Sequence, residues 1–404
     1  MSLRKILFFM VDGFDTPTSI NQLVETLLCD ILDAGVKVHM VAGRKGGSLP
    51  DVPDSLLARN GFTYDIVDRG GAVDKSNFAK RFFYDLAYVS KAQKAWWNAI
   101  SDADCVLVQS THLGYFHLRA MRKLYRGPIV YNLYDIFPDN VCGTLGDLPY
   151  RMFDVLQRRL YPLCDRIVVI SDDMKATLVK KGVDAHKVAV VPIWHDEAVS
   201  PVPWDENRFA SSYGVDRGTF IVQFAGSFGY VFDHETVLRT AARLRDREDI
   251  EFHMIGQGAR LNEFKKAARE KGLANIRFFP WQPASELADV YSACSVGIIP
   301  LESGVVFSAY PSKTSSLMAC GKPSVYSIEK NSALARQIEE LRIGLVADRG
   351  DDEALADAIV RLSGSPELLA EMSSNALRYA DAELSRSKCT SGFLDLLDEA
   401  VGAL

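Results

Sequence analysis

The sequence predicts an α/β protein built from two doubly wound domains that face each other across a cleft. Three observations lead there. Strand-like and helix-like runs alternate along all 404 residues, and the strand-like runs are short, apolar and β-branched, as in parallel sheets covered on both faces. A strand running through glycine into a helix occurs twice, at "VDGFDTPTS" (11–19) and "AGSFGYVFDHE" (225–235). Between them, the stretch 194–218 is rich in proline, tryptophan and turn formers and has no period. It reads as the connection between domains.

The elements follow in order. The opening "MSLRKILFFMVDGFD" has the basic start and apolar run of a signal peptide, but the run is short and meets Asp12-Gly13 without a small-residue cleavage site. It is read as a first strand, "KILFFMV" (5–11). A helix pattern runs from Thr18 to Ala34, then "VKVHMVAG" (36–43), "CVLVQS" (105–110), "PIVYNLY" (128–134), "RIVVIS" (166–171) and "VAVVPI" (188–193) give further strands. The second half repeats the scheme. "TFIVQFAG" (219–226) leads to a helix over 233–245, "IEFHMIG" (250–256) to a helix over 261–271, and "IRFFP", "VGIIP", "PSVYS" and "GLVAD" supply the remaining strands. The segment "PSKTSSLMAC" (311–320) has helix punctuation, with Pro311 and Ser312 at its start, Gly321 at its end and Pro323 beyond.

Composition bounds the function. The chain is 48% hydrophobic and 24% charged with net charge −6, which argues against broad nucleic-acid binding. Residues 1–200 hold 24 Lys/Arg against 23 Asp/Glu, and the rest 22 against 29, so the first half is freer to meet anions. No apolar run approaches the roughly 20 residues of a membrane span. Seven scattered cysteines with no Cys-x-x-Cys pair point to reduced thiols rather than a zinc cage.

Ligands of doubly wound sheets bind beyond the carboxyl ends of the strands, and three segments there can carry chemistry. In "AGSFGYVFDHE", Gly226 and Gly229 allow a tight turn, and amides from Ser227 and Phe228 onward approach a helix start where phosphate is favoured; packing alone also explains such turns. In "PSKTSSLMAC", Ser312 is the expected N-cap, and Lys313 lies in the first turn, where the helix dipole disfavours a cation unless an anion sits beside it. Ser312 and Ser316 share one face. The other reading is a solvated lysine and closely packed serines. In "YNLYDIFPD" (131–139), Asp135 ends a strand and can orient or deprotonate a sugar hydroxyl, or simply cap a turn. "DAD" (102–104) precedes a strand as turn residues do, and His112 either faces the cleft or lies in a plain loop. The helix pattern 78–100 mixes Lys80, Arg81, Lys91 and Lys94 with Phe82, Phe83, Tyr84, Trp96 and Trp97, and "RAMRKLYRG" (119–127) adds four cations. Such a mix suits an anionic membrane surface or a core-packed helix with solvated cations.

With these residues in place the chain resembles a glycosyltransferase of the GT-B architecture, family 4 in particular, with two Rossmann-like domains. "DIFPD" (135–139) is similar to the Asp-Leu-Trp-Pro-Glu segment of bacterial O-antigen and capsule transferases. "CDRIVVISDDMKATLVKKGVDAHKVAVVPIWHD" (164–196) resembles the last unit of the family's N-terminal domain. "PSKTSSLMACGKPSV" resembles the signature of the subgroup with N-acetylfucosamine-type transferases. The resemblance implies an N-terminal acceptor domain (1–195), a C-terminal donor domain (196–384) and a final helix (385–404) packing back on the first.

It further implies a retaining, metal-independent transferase acting in bacterial cell-surface polysaccharide synthesis. The donor would be a UDP- or GDP-sugar and the acceptor a glycan or lipid-linked glycan. No cofactor and no nucleic acid are expected. The location would be cytoplasmic, with peripheral contact to the inner face of the plasma membrane as a further option. Gly226, Ser227, Phe228 and Gly229 would cradle the diphosphate, held also by Lys313 and the amides after Ser312. Trp281 and Gln282 would meet the base with Arg260 nearby, and Tyr310 and Ser316 would complete the donor side. Gly13, Thr18, Asn21, His112 and Tyr134 would lie on the acceptor side, with Lys313 and Asp135 catalytic.

The chain also departs from the pattern. Ser308 and Ser316 occupy the positions of a Glu-x7-Glu pair whose second Glu binds the donor ribose, the usual Arg/Lys phosphate pair is missing, and Tyr134 replaces a frequent cleft histidine. These departures leave open a non-catalytic partner of another transferase, or a sugar-nucleotide epimerase of the same architecture.

Overall fold

The computed structural model describes residues 2–15, 18–69, 78–141 and 146–403, with backbone alone for Ser19 and 78–85. Thr16 and Pro17 of the expected acceptor loop, and the side chains of Lys80, Arg81, Phe82, Phe83 and Tyr84, lie outside the described residues.

Among the described residues, thirteen strands form two sheets. The first takes β1 (Lys5–Met10), β2 (Lys37–Arg44), β3 (Phe62–Asp68), β4 (Cys105–Gln109), β5 (Ile129–Leu133), β6 (Arg166–Val169) and β7 (Val188–Val190), in the order β3-β2-β1-β4-β5-β6-β7. The second takes β8 (Phe220–Ser227), β9 (Ile250–Gln257), β10 (Ile276–Phe279), β11 (Val296–Pro300), β12 (Ser324–Ile328) and β13 (Gly344–Asp348), in the order β10-β9-β8-β11-β12-β13. All pairings are parallel. Each sheet therefore reverses its strand order once, between β1 and β4 and between β8 and β11, and leaves a crevice at that point.

Burial explains why these runs are strands. β4, β5, β11 and β12 are buried at every position. In the second sheet the period of two sends Ile221, Ile299 and Tyr326 to one core and Val222, Ile298 and Val325 to the other. β3 is the exception. It is a largely exposed edge strand containing Asp65 and Asp68, tied to β2 by His39 Nδ1 and Thr63 Oγ1 at 2.9 Å. The sequence showed no apolar run there, so this strand was not expected.

The connection 194–218 is more ordered than its composition suggested. Asn207 caps a helix, Arg208–Tyr213, which ends at Gly214 with φ +59°. The helix lays Phe209 against Phe279 of the second core, and Arg208 binds the Asp289 carboxylate at 2.7 Å. Six residues are too few to show a period.

Several contacts hold the two halves together. The last helix, Arg386–Gly402, adds Cys389, Phe393 and Leu397 to the first core, and Arg386 pairs with Asp30 at 2.6 Å. Asp173, buried in the first half, accepts from the amides of Ala333 and Leu334 at 2.7 and 2.9 Å and so caps a helix (Ala333–Leu341) of the second. Thr177 donates to the Phe307 carbonyl at 2.7 Å, and Ser315 to that of Ile193 at 3.1 Å.

Candidate functional site

The second crevice is shaped by glycine. In the β8–β9 register Gly226 faces Gly256, and a Cβ on Gly256 would run into the Gly226 carbonyl. On its other side Gly226 meets Lys313. A Cβ at 226 would collide with Cε of that lysine and leave Nζ 2.8 Å away. The Lys313 ammonium lies 5.4 Å from the centre of the Phe224 ring. It has no ion pair among the described residues, and burial lowers its pKa from the ordinary lysine value. A lone cation thus rests on the Gly226 backbone at the strand-order reversal.

The turn after β8 offers donors of its own. Phe228 is spent on structure. Its ring is fully buried against Phe224, Phe232 and Phe264, its amide donates to Gln257 and its carbonyl accepts from Arg260. It anchors the turn and leaves no group for a ligand. The amides of Gly229, Tyr230 and Val231 donate to nothing among the described residues. A bridge between Phe232 and Leu301 pins the turn to the end of β11. The helix that follows (His234–Arg243) is capped by Asp233, whose carboxylate accepts from Thr236.

Lys313 opens the helix Lys313–Ala319. The expected cap is absent. Ser312 has helical angles (φ −53°, ψ −23°) and its hydroxyl accepts no amide. The Pro311 carbonyl instead takes the Thr314 amide at 2.9 Å, so a tight first turn replaces side-chain capping. Gly321 follows the helix with φ +64°, the left-handed end the sequence indicated. Ser316 is half-buried on this helix, and Ser308 is buried with its hydroxyl on the Val305 carbonyl. Tyr310 packs against both the first core and the second.

Arg260 is less available than Lys313. It binds Glu302 at 3.2 Å and Glu263 at 3.2 Å, across the crevice mouth. At the end of β10, Trp281 is about half exposed while Gln282 is buried, its amide donating to the Tyr213 hydroxyl and the Pro280 carbonyl.

The first crevice holds a cavity of about 260 Å³. Gly13, Thr18, Asn21, His112 and Asp135 line it, four of the five acceptor-side expectations together with the expected catalytic carboxylate. Thr18 also caps the helix Ser19–Asp33, accepting from the Asn21 amide, and the Asn21 side chain donates to the Gly13 carbonyl at 3.0 Å. The fifth, Tyr134, does not reach the cavity. Tyr131, Leu133 and Asp135 line it, so the strand period turns Tyr134 the other way, where burial raises its phenol to about 12. Burial likewise raises the Asp135 carboxyl to about 7.

Sequence reasoning missed Asp12, Lys45, Asn140 and Gln157 on the cavity wall. Asp12 follows β1 directly, the strand-end rule that singled out Asp135. Burial would raise its pKa, but Lys45, 2.7 Å away, and Arg69 hold it below the usual carboxylate value. Two other polar residues near strand ends are structural. Asp104 of "DAD" accepts from the Arg4 and Lys5 amides, and His117 is buried on Phe9 with burial depressing its pKa to about 3.

The crevices adjoin. Asp135 forms an antiparallel bridge with Ala309, and the Ile136 amide donates to the Ser308 carbonyl at 2.8 Å. Four residues of chain span at most about 14 Å, so Lys313 starts within that distance of the bridge.

Comparison with known proteins places this geometry. The model of Glycosyltransferase Family 4 matches residues 20–198 and that of Glycosyl transferases group 1 matches residues 205–379. HepE of Anabaena, solved with UDP and glucose, superposes with a TM-score of 0.75 over 98% of this chain and 100% of HepE at 16% identity. The chain has the GT-B glycosyltransferase fold. WbjE of Pseudomonas aeruginosa, named as a probable glycosyltransferase, is 32% identical over 56% of this chain and 58% of WbjE. WcaI of Escherichia coli K12, by its name a colanic acid biosynthesis glycosyl transferase, is 26% identical over 57% and 56%. The match thus spans little more than half the length of these relatives. Within the GT-B fold, the two crevices of this chain are those where the two sheets reverse their strand order, one glycine-lined with Lys313 and one cavity-forming with Asp135.

Proposed function

We propose that the protein is a retaining glycosyltransferase that moves a sugar from a nucleotide-sugar donor to a glycan or lipid-linked glycan of a bacterial cell-surface polysaccharide. The observation that carries this reading is the unpaired Lys313 ammonium on Gly226, at a crevice adjoining the Asp135 cavity. The donor diphosphate lies against Lys313 and the amides of Gly229 to Val231. As the bond from anomeric carbon to phosphate breaks, negative charge grows on the diphosphate, and these preorganised donors stabilise it by several kcal/mol in a cleft poor in water. The acceptor occupies the first cavity, where its hydroxyl donates to Asp135. That carboxyl, held near neutrality by burial, can accept the proton as the new bond forms.

The reading gives the diphosphate charge to protein groups, so turnover should persist in EDTA. The base stacks near Trp281, and Ser316 stands where relatives hold the ribose with Glu. Support for a cell-surface role is the "PSKTSSLMACGKPSV" signature together with the names of WbjE and WcaI. An N-acetylhexosamine-type sugar follows from the same signature.

The test is a screen of UDP-, GDP- and dTDP-sugars for nucleotide release, with and without glycan acceptors. Acceptor-dependent release from one donor supports the reading. Conversion of donor alone would indicate an epimerase, and no turnover with tight binding to another transferase would indicate a non-catalytic partner.

A further inference from the structure

The wall of the first cavity contains two buried amides. Gln109, the last residue of β4, and Gln157, on the helix Asp147–Leu160, both line it and are only 6% and 3% exposed. Each is fixed at one end. From the facing position of β5, the Asn132 side chain donates to Gln109 Oε1 at 3.0 Å. Gln157 Nε2 donates to the Thr111 carbonyl at 3.2 Å. A primary amide has an oxygen that accepts and a nitrogen that donates, so each bond settles what the other end offers. Gln109 presents N–H donors to the cavity, and Gln157 presents a carbonyl acceptor. Neither atom has a partner among the described residues, and neither is sealed inside the protein. Thr111, which holds Gln157, lies two residues beyond Gln109, at most about 7 Å along the chain. The two amides are therefore close enough to serve one ligand group.

A fixed donor beside a fixed acceptor excludes most sugar substituents. A hydroxyl adapts to either amide but meets only one of them. A carboxylate is repelled by Gln157 Oε1, and an ammonium by the Gln109 N–H groups. A buried polar group left unmet carries its full desolvation penalty, so each mismatch is selective. Lys45, the one lysine or arginine lining the cavity among the described residues, is held by Asp12 at 2.7 Å, so no free cation is offered to an anionic acceptor. An acetamido group has one carbonyl and one N–H, the complement of the two amides. Its methyl suits Leu133 and Phe137 on the same wall.

We infer, on the reading that this cavity takes the acceptor, that Gln109 and Gln157 select an acceptor sugar bearing an acetamido group. Gln109 Nε2 donates to the acetamido carbonyl, and Gln157 Oε1 accepts from its N–H. Asn132 is a positioning residue. It does not line the cavity, and it acts by keeping the Gln109 oxygen turned away from the ligand. Asp135 remains with the hydroxyl that reacts, so recognition and chemistry fall to different groups of one wall.

The experiment is ligand-observed NMR titration of the full chain with methyl 2-acetamido-2-deoxy-glycosides of gluco, galacto and manno configuration and with their 2-hydroxy counterparts. In at least one configuration the acetamido glycoside should bind at least about tenfold more tightly than its counterpart. Gln109→Met and Gln157→Met, which fill the space without a hydrogen bond, should each bring that ratio below about twofold. In the second variant the Thr111 carbonyl still accepts from the Tyr131 hydroxyl. Should Gln109→Met fail to fold, Gln109→Glu keeps the Asn132 bond and turns an oxygen to the cavity, with the same expected loss. Equal binding of the counterparts by wild type, no binding of any glycoside, or a preference that survives in both variants overturns the inference. Nucleotide release tests transfer separately. Equally efficient turnover onto acceptors without acetamido groups overturns the selectivity and leaves the transferase standing. Acetamido-selective binding without turnover supports the selectivity and counts against the transferase.

Discussion

Replacing Asp135 by Asn tests the environment of the first cavity by its pH dependence. The Asp135 carboxyl is raised from 3.8 to about 7 by burial, with no counter-charge among the causes. The folded state therefore keeps the proton to higher pH than the unfolded chain. Stability is undiminished below pH 3.8, falls as pH rises through the window 3.8 to 7, and levels off above it. Each pKa unit is about 1.4 kcal/mol, so the full cost is up to about 4 kcal/mol, reduced toward about 2 by solvent entering the cavity. Asn has the same shape and never ionises. Urea midpoints of the two proteins should converge below about pH 4 and separate steadily to pH 7, the Asn variant being the more stable, with a constant gap beyond. Turnover should move the other way: lost in the variant, and in wild type rising through pH 7 as Asp135 ionises. A gap independent of pH, or a variant less stable at pH 8.5, would refute the reasoning.

Other expectations follow from single contacts. Gly226→Ala drives a methyl into Lys313 and should weaken nucleotide binding at least about tenfold with the far-ultraviolet spectrum unchanged; normal affinity would contradict the contact. Asp173→Ala removes a cap that crosses between the halves and should cost on the order of 3 kcal/mol in urea unfolding, with a larger radius of gyration in X-ray scattering; Asp173→Asn should retain part of both. Ser312→Ala should change stability by less than about 0.5 kcal/mol, because the hydroxyl caps nothing; a loss above that would restore it as the cap.

Most of the fold was legible because both sheets are built from runs buried on two faces. "VGIIP" and "PSVYS" have no other home than a sheet interior. β3 escaped because an edge strand needs little apolar surface, and the helix Arg208–Tyr213 because it is short and announced only by Asn207 and Gly214. For the site, strand-end position was a sound guide. It placed Gly226, His112 and Asp135 at the crevices, and would have given Asp12 had it been applied to "VDG"; Gly13 came from the resemblance. Side-chain direction was the weak point. Tyr134 and Phe228 neighbour site residues in sequence, but the strand period and an aromatic cluster turn them inward. The proximity of Lys313 to Gly226 joins positions 87 residues apart, and no local pattern encodes it.

The most direct test of the account is calorimetric titration of UDP, GDP, dTDP and ADP into wild type and Lys313→Met, which keeps an apolar stem against Gly226 and Phe224. The account predicts that one nucleoside diphosphate binds wild type in the micromolar range and that the variant loses at least about tenfold in affinity, with binding of the corresponding nucleoside unchanged. Equal affinity of both proteins for the diphosphate, or no nucleotide bound by wild type, would contradict it.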